Sequence, residues 1–315
     1  MRKPRDMTDI PEAAAPEAAP EPTPATDAAA APAAKPAKKE EDWRDTLSFL
    51  IKLAIVVFIF RSFLFSPFSI PSQSMLPRLY IGDYLFISKW NYGYSKHSLP
   101  WSLPLIPGRI FARDPERGDV VVFKAPPKAQ EDYIKRVIGL PGDTVQVRHG
   151  QLILNGVPVP KVRVADFTIP ITPNYGTTAQ PNGEIPCPAQ FLTSDAGGMP
   201  ICRYMQFKET LPGGRSYYVL DRGEMAGTDR NGINADNTPV YSVPAGKLFL
   251  MGDNRDDSGD SRFEAEDHGA IGLVPIENIE GKAVVTFWST DGNAQWLLPW
   301  TWFTAARWSR IGKGF

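Results

Sequence analysis

The chain of 315 residues is poor in the residues that build covalent scaffolds and metal centres. It has two cysteines, Cys187 and Cys202, which excludes a disulfide-rich framework and any four-cysteine zinc site. Its three histidines, His97, His149 and His268, are scattered without metal-ligand spacing. It also lacks a charge surplus. The 34 Lys+Arg and 35 Asp+Glu leave a net charge of −1 and a pI near 6.3, which disfavours a broad basic face for nucleic-acid phosphates. No internal repeat is evident, nor any long amphipathic helix beyond residue 66.

What the sequence does have is sharply partitioned. Residues 11–37 hold 13 Ala and 7 Pro and almost nothing else apolar. Alanine favours helix, proline breaks it, and neither offers much surface to bury, so residues 1–42 read as a disordered tail. From Thr46 to Phe65 the composition reverses: 20 residues are apolar except for a few small polar side chains, Lys52 and Arg61. At about 1.5 Å per residue a helix of that length covers roughly 30 Å, the hydrocarbon thickness of a bilayer. Lys52 and Arg61 lie toward its two ends, where long side chains snorkel to headgroups.

The alternative for this segment is a buried core helix. Trp43 at its start and the run Leu53–Phe60 favour a membrane anchor over residues 43–66. A cleaved secretory signal fits less well, because its charged leader would exceed 40 residues. Lys35, Lys38, Lys39 and Arg44 precede the span and positive charge is sparse after Arg61, so the positive-inside rule puts the tail in the cytoplasm. About 250 residues then lie outside the cytoplasm, ample for a core. In that oxidising compartment Cys187 and Cys202 are disulfide candidates, and closing such a loop contributes on the order of 3 kcal/mol.

Beyond the anchor the periodicity is strand-like and the body reads as mainly β. Residues 119–124, 133–140, 216–220, 247–251 and 282–288 are β-branched or aromatic runs bounded by turn residues. Pro141-Gly142 suits a type II turn, and Asn155-Gly156 the type I′ turn of a hairpin over 152–157. Residues 160–212, rich in Pro, Gly, Asn and Thr, read as a loop-rich excursion. The last 28 residues hold Trp288, Trp296, Trp300, Trp302, Phe303 and Trp308, a set suited either to ordinary packing or to the headgroup layer.

Four segments could carry chemistry. Ile70-Pro-Ser-Gln-Ser-Met75 follows the anchor; two serines among prolines normally make a solvated turn. Tyr133-Ile-Lys-Arg-Val-Ile-Gly-Leu-Pro-Gly-Asp143 places Lys135 and Arg136 on opposite faces of one strand, so one cation faces whatever the strand covers. A buried Lys135 loses the stability of its charge, and its amine can then take a proton from a serine hydroxyl. Serine with lysine is a known variant of the serine–histidine–aspartate arrangement, and no G-x-S-x-G motif is present for the latter. Arg117-Gly-Asp-Val-Val-Val-Phe123 is by itself a turn and a buried strand. In Gly252-Asp-Asn-Arg-Asp-Asp-Ser-Gly-Asp-Ser-Arg262 a calcium loop fails, since Arg255 and Ser258 occupy positions that need an acid or Asn and a Gly. Interleaved Asp and Arg instead predict a salt-bridged loop that holds a site rigid.

In order and spacing these four motifs, with Arg61-Ser-Phe before them and Trp308-Ser-Arg-Ile-Gly312 after, resemble the bacterial type I signal peptidases, the membrane enzymes that remove signal peptides from exported proteins. The resemblance runs from Arg61 to the C-terminus. It implies Ser74 as acyl-enzyme nucleophile, Lys135 as general base, and an oxyanion hole from the Ser74 N–H and the Ser72 hydroxyl. Ser258 is expected to orient the lysine amine, with Asp260 and Arg262 as a supporting ion pair. Ile70, Pro71, Met75, Tyr133 and Ile134 are expected to line the substrate cleft, where the peptide binds by strand addition with Ala-like side chains in small pockets. No metal or organic cofactor is implied, and the expected partners are signal peptides of preproteins and the lipid bilayer, with the chain monomeric.

The implied fold is a single transmembrane helix followed by an extracytoplasmic antiparallel β-sheet catalytic domain with an inserted accessory β-rich domain. Its parts are the tail (1–42), the anchor (43–66), the catalytic core in two pieces (67–158 and 245–315) and the accessory region (159–244). The implied location is the bacterial inner membrane, N-terminus in the cytoplasm and catalytic domain outside. Gln73 departs from a frequent Gly, and Asp257 from a frequent Asn, which adds negative charge near Ser258. Three other readings compete: a self-cleaving SOS-type repressor, against which the anchor argues; a membrane-anchored β-rich protein that binds peptides without cutting them; and a specialised pilus-precursor processing peptidase.

Overall fold

A computed structural model of the protein describes residues 43–180, 183–224, 228 and 231–315; the Ala/Pro tail lies outside the described residues. Trp43–Ile59 forms an α-helix (α1) that continues as a π-helical turn over Phe60–Leu64. No Pro or Gly interrupts these 22 residues, and they are long and apolar enough to cross a membrane. No residue of α1 is buried, unlike the helix of a protein core.

Seven antiparallel strands make the main sheet: β1 (Phe65–Ser69), β2 (Asp83–Ser88), β3 (Val120–Lys124), β4 (Asp132–Gly139), β5 (Lys247–Met251), β6 (Val274–Pro275) and β7 (Ile279–Ser289). Their spatial order is β1-β2-β7-β3-β4-β5-β6. The two edge strands are the ones that contain proline, Pro67 in β1 and Pro275 in β6, as expected of a residue that cannot donate to a ladder. In the register, Val121 pairs with Lys135 and Val120 with Arg136, so the two cations face opposite sides. Both faces are covered. Val120, Val122 and Ile134 pack with Ile70, Met75 and Leu79, whereas Val121, Phe123 and Val137 pack with Leu248 and Leu250. Hence both cations are buried, where the sequence alone required only one.

The hairpin over 152–157 forms as read. Leu154 pairs with Val157, and Asn155 and Gly156 both take positive φ, 52° and 78°. Gly142 has φ 90°, as a type II turn requires. Residues 160–212 are more regular than a loop-rich excursion. Among the described residues they hold five short strands, Lys161–Arg163, Phe167–Pro170, Leu192–Ser194, Pro200–Tyr204 and Gln206–Thr210, which with Ser216–Leu220 make two three-stranded sheets. Cys187 and Cys202 are joined in a disulfide buried beside Tyr175, Tyr204 and Leu220. Of the C-terminal aromatics, Trp296, Trp300, Trp302, Phe303 and Trp308 are exposed in and around a short helix, Pro299–Thr304.

Candidate active site

Ser74 lies in the connection that turns the chain from β1 back into β2. Ile70 ends the first strand with its N–H on the Asp83 carbonyl, and Pro71 prevents the ladder from continuing. The following residues wind into tight turns, with the Leu76 N–H on the Gln73 carbonyl and the Arg78 and Leu79 N–H groups both on the Met75 carbonyl. Met75 and Leu79 drive that turn into the core, which leaves Ser74 facing outward at 6 % exposure. Gln73 takes no positive φ, so the turn needs no glycine there.

The loop after β5 clamps this turn from the other side. Asn254 donates its backbone N–H to the Ser74 carbonyl (3.0 Å) and its side-chain amide to the Gln73 carbonyl (3.2 Å). The loop is tied down by charge, as the interleaved Asp and Arg predict. Arg136 holds Asp253 with two bonds of 2.7 and 2.6 Å, and Arg262 holds Asp260 with 2.8 and 2.9 Å. Arg255 reaches into the accessory region, where it pairs bidentately with the buried Glu209. Backbone bonds from Leu220 to Asp253 and from Arg255 to Leu220 stitch the loop to the strand Ser216–Leu220.

Lys135 projects from mid-β4 into this frame and its Nζ lies 2.8 Å from the Ser74 Oγ. The side chain is 4 % exposed. Burial pushes its pKa down from 10.5 to about 8, against the opposing fields of Asp260, Glu184 and Asp253. Asp257 is turned to Arg222 (3.3 Å), so the extra charge at this position is shared with a cation.

Ser72 Oγ stands 3.4 Å from Ser74 Oγ. Gly252 marks the closest approach: a Cβ there would fall 2.3 Å from the Ser258 Oγ and 2.5 Å from the Ser74 carbonyl oxygen. Ser258 is thus beside the serine turn, but its buried hydroxyl has no hydrogen-bond partner among the described residues, so the expected bond to the lysine amine is not formed.

A cleft of about 570 Å³ opens over the pair, lined by Pro71, Ser72, Ser74, Tyr133, Ile134 and Lys135 and also by Glu184, Asp257 and Gly269. Ile70 and Met75 do not line it. They are 2 % and 0 % exposed and belong to the core beneath, because the turn that presents Ser74 sends its apolar neighbours inward. Sequence reasoning missed three participants: Asn254, which holds the serine turn, and Gly252, which makes room for it, both inside the fourth motif but given no role there, and Glu184, which has no motif and lines the cleft from the accessory region.

The family model described as "Signal peptidase, peptidase S26" matches residues 43–288. A protein named Signal peptidase I from Rickettsia typhi is 36% identical over 279 residues, covering 85% of this chain and 91% of that protein. The Signal peptidase I of Rickettsia massiliae is 37% identical over 256 residues, covering 80% of each. Among solved structures, a signal peptidase I from Enterococcus faecalis shares 24% identity, covers 54% of this chain and 97% of that one, and gives a TM-score of 0.25.

Proposed function

The chain belongs to the signal peptidase S26 family and is a serine endopeptidase that cleaves signal peptides, and we propose that it does so through Ser74 and Lys135 at a membrane surface. The observation that carries this reading is the 2.8 Å contact between a serine hydroxyl and a buried amine whose pKa is pushed down to about 8. A general base works best when its pKa lies near the operating pH, and a neutral amine is the base this pair requires.

In the reaction the neutral Lys135 amine accepts the Ser74 hydroxyl proton as the serine oxygen attacks the scissile carbonyl. The Ser74 N–H and the Ser72 hydroxyl donate to the oxyanion that forms. The lysine ammonium then gives its proton to the leaving amine, which departs with the mature chain. A water entering the vacated cleft is deprotonated by the same amine and hydrolyses the acyl-enzyme. The signal peptide lies extended between Pro71–Ser72 and Tyr133–Lys135, with backbone bonds supplying affinity and the cleft walls selecting small side chains. Asp260 and Arg262 hold the loop that backs the lysine.

Residues 43–66 anchor the enzyme in the bacterial inner membrane, with the N-terminus in the cytoplasm and the body outside as a monomer. Ser74 then lies nine residues past Phe65, near the outer lipid boundary where a signal peptide presents its cleavage site. The exposed Trp296, Trp300 and Phe303 suit the headgroup layer. The test is cleavage of a preprotein by the Ser74→Ala variant: turnover is lost, and turnover that persists refutes the nucleophile.

A further inference from the structure

We propose that the apolar stretch of the substrate seats in a second cleft, between α1 and the loop Ser98–Ser102, which adjoins the cleft over Ser74. This inference rests on the reading of the site given above. The second cleft has a volume of about 580 Å³ and sets Ala54, Val57 and Phe58 of α1 against Leu99, Pro100 and Trp101. Phe68 and Asp132 line both this cleft and the one over Ser74, so the two clefts adjoin at these side chains.

The direction follows from the substrate's own chemistry. A signal peptide carries its apolar run of about 7–15 residues on the N-terminal side of the small residues at the cut. That run leaves the catalytic cleft by the end where apolar surface continues, past Phe68 toward α1. Ala54 lies ten residues before Leu64, so the second cleft reaches about 15 Å along the helix, roughly half the hydrocarbon depth. One side of the second cleft is polar, a chain of ion pairs, Lys89–Glu280 at 3.2 Å, Glu280–Lys124 at 3.4 Å and Lys124–Asp132 at 2.6 Å, that ends at Asp132, the residue it shares with the cleft over Ser74. It suits the polar backbone between the apolar run and the scissile bond.

The far wall is preformed. Ser95 Oγ accepts the His97 N–H and Ser98 Oγ accepts the Ser95 N–H, closing a cap on a short 3-10 turn. His97 is held neutral, its pKa pushed down to about 4 by burial and by Lys96 and Lys124, and its Nδ1 lies 2.9 Å from Ser102 Oγ. Trp101 is presented in the left-handed region at φ 55° and is 90 % exposed. A large indole held in a costly backbone conformation with nothing packed on it is explained if a passing apolar chain covers it.

The test compares two substrates in detergent micelles: a full preprotein, and a short peptide that spans the cleavage site without the apolar run. Val57→Trp fills the second cleft and Trp101→Ala removes its wall. Either variant should lower the ratio of preprotein to short-peptide kcat/KM about tenfold, through KM. A ratio equal to that of the parent enzyme overturns the inference. In a second arm, Val57→Cys on a Ser74→Ala background should cross-link to a cysteine placed in the apolar run, whereas Ile55→Cys, outside the cleft, should not. Equal cross-linking at both positions also overturns it. Loss of short-peptide cleavage on Ser74→Ala reports separately on the catalytic reading, so the two ideas fail by different results.

Discussion

Replacing Lys135 by methionine should abolish activity and yet make the protein more stable at neutral pH. The amine is buried in β4, and burial moves its pKa from 10.5 to about 8. At 1.36 kcal/mol per pH unit, that shift means about 3 kcal/mol of folding free energy is sacrificed to keep the ammonium out of water below pH 8. Methionine fills a similar volume with no charge to desolvate. It gives up the 2.8 Å contact with Ser74, which offsets about 1 kcal/mol, leaving a net gain of roughly 2 kcal/mol at pH 7. The sign of the pH dependence is fixed by the direction of the shift. Between about pH 8 and 10.5 the unfolded chain binds more protons at this amine than the folded one, so the parent protein gains on the variant across that window. Urea unfolding of the full chain in micelles at pH 7 and pH 10 reads both effects. A methionine variant less stable than its parent at pH 7, or an advantage that does not shrink by pH 10, refutes the assignment of the amine as a strained buried base.

If Lys135 acts as the proposed general base, kcat/KM should rise about tenfold per pH unit from below and level off near pH 8, and a flat profile between pH 6 and 9 would contradict that role. Asp260 supplies the largest field that opposes the lowering of the Lys135 pKa, so Asp260→Asn should move the midpoint of that profile to lower pH. The same change strands the buried Arg262 guanidinium without its carboxylate and should cost about 3–5 kcal/mol in unfolding experiments. Gly252→Ala puts a methyl group within 2.5 Å of the Ser74 carbonyl and the Ser258 hydroxyl. It should displace the serine turn and lower kcat at least about tenfold while costing only about 1–3 kcal/mol of stability, and a variant of parental kcat would show that the turn is loose.

The elements that are long and regular are the ones legible in the sequence. β3 and β4 announce themselves through β-branched runs bounded by Gly118, Pro141 and Gly142, and α1 through apolar residues without a breaker. The strands between residues 160 and 212 are three to five residues each, too short for alternation to emerge between so many prolines and glycines. Within the site, Ser74 and Lys135 are readable because their motifs sit at family-like spacing. The bond from Asn254 to the Ser74 carbonyl spans 180 positions and follows no period, so nothing local foretells it. Met75 and Ile70 mislead for a related reason: adjacency to Ser74 along the chain suggests the cleft, but a tight turn sends successive side chains to opposite sides, and theirs go to the core.

The chemistry of the site depends on which carboxylates are already taken. Six Lys and Arg side chains are buried among the described residues, and five of them sit in ion pairs: Lys89 with Glu280, Arg136 with Asp253, Arg255 with Glu209, Arg262 with Asp260 and Arg310 with Asp83. Lys135 is the sixth, and its one hydrogen bond is to a neutral hydroxyl. Asp260 and Asp253 are close enough for their fields to reach the amine, but both are held bidentately by arginines that keep them pointed elsewhere. Arg136 shows what the alternative looks like: one position along the same strand, equally buried, its pKa is raised because Asp253 is its direct partner. Two neighbouring cations thus meet opposite fates from one difference, a contacting carboxylate. In the proposed mechanism the acid-rich loop acts less by contributing acids than by committing them to arginine, which leaves the lysine amine buried without a contacting carboxylate.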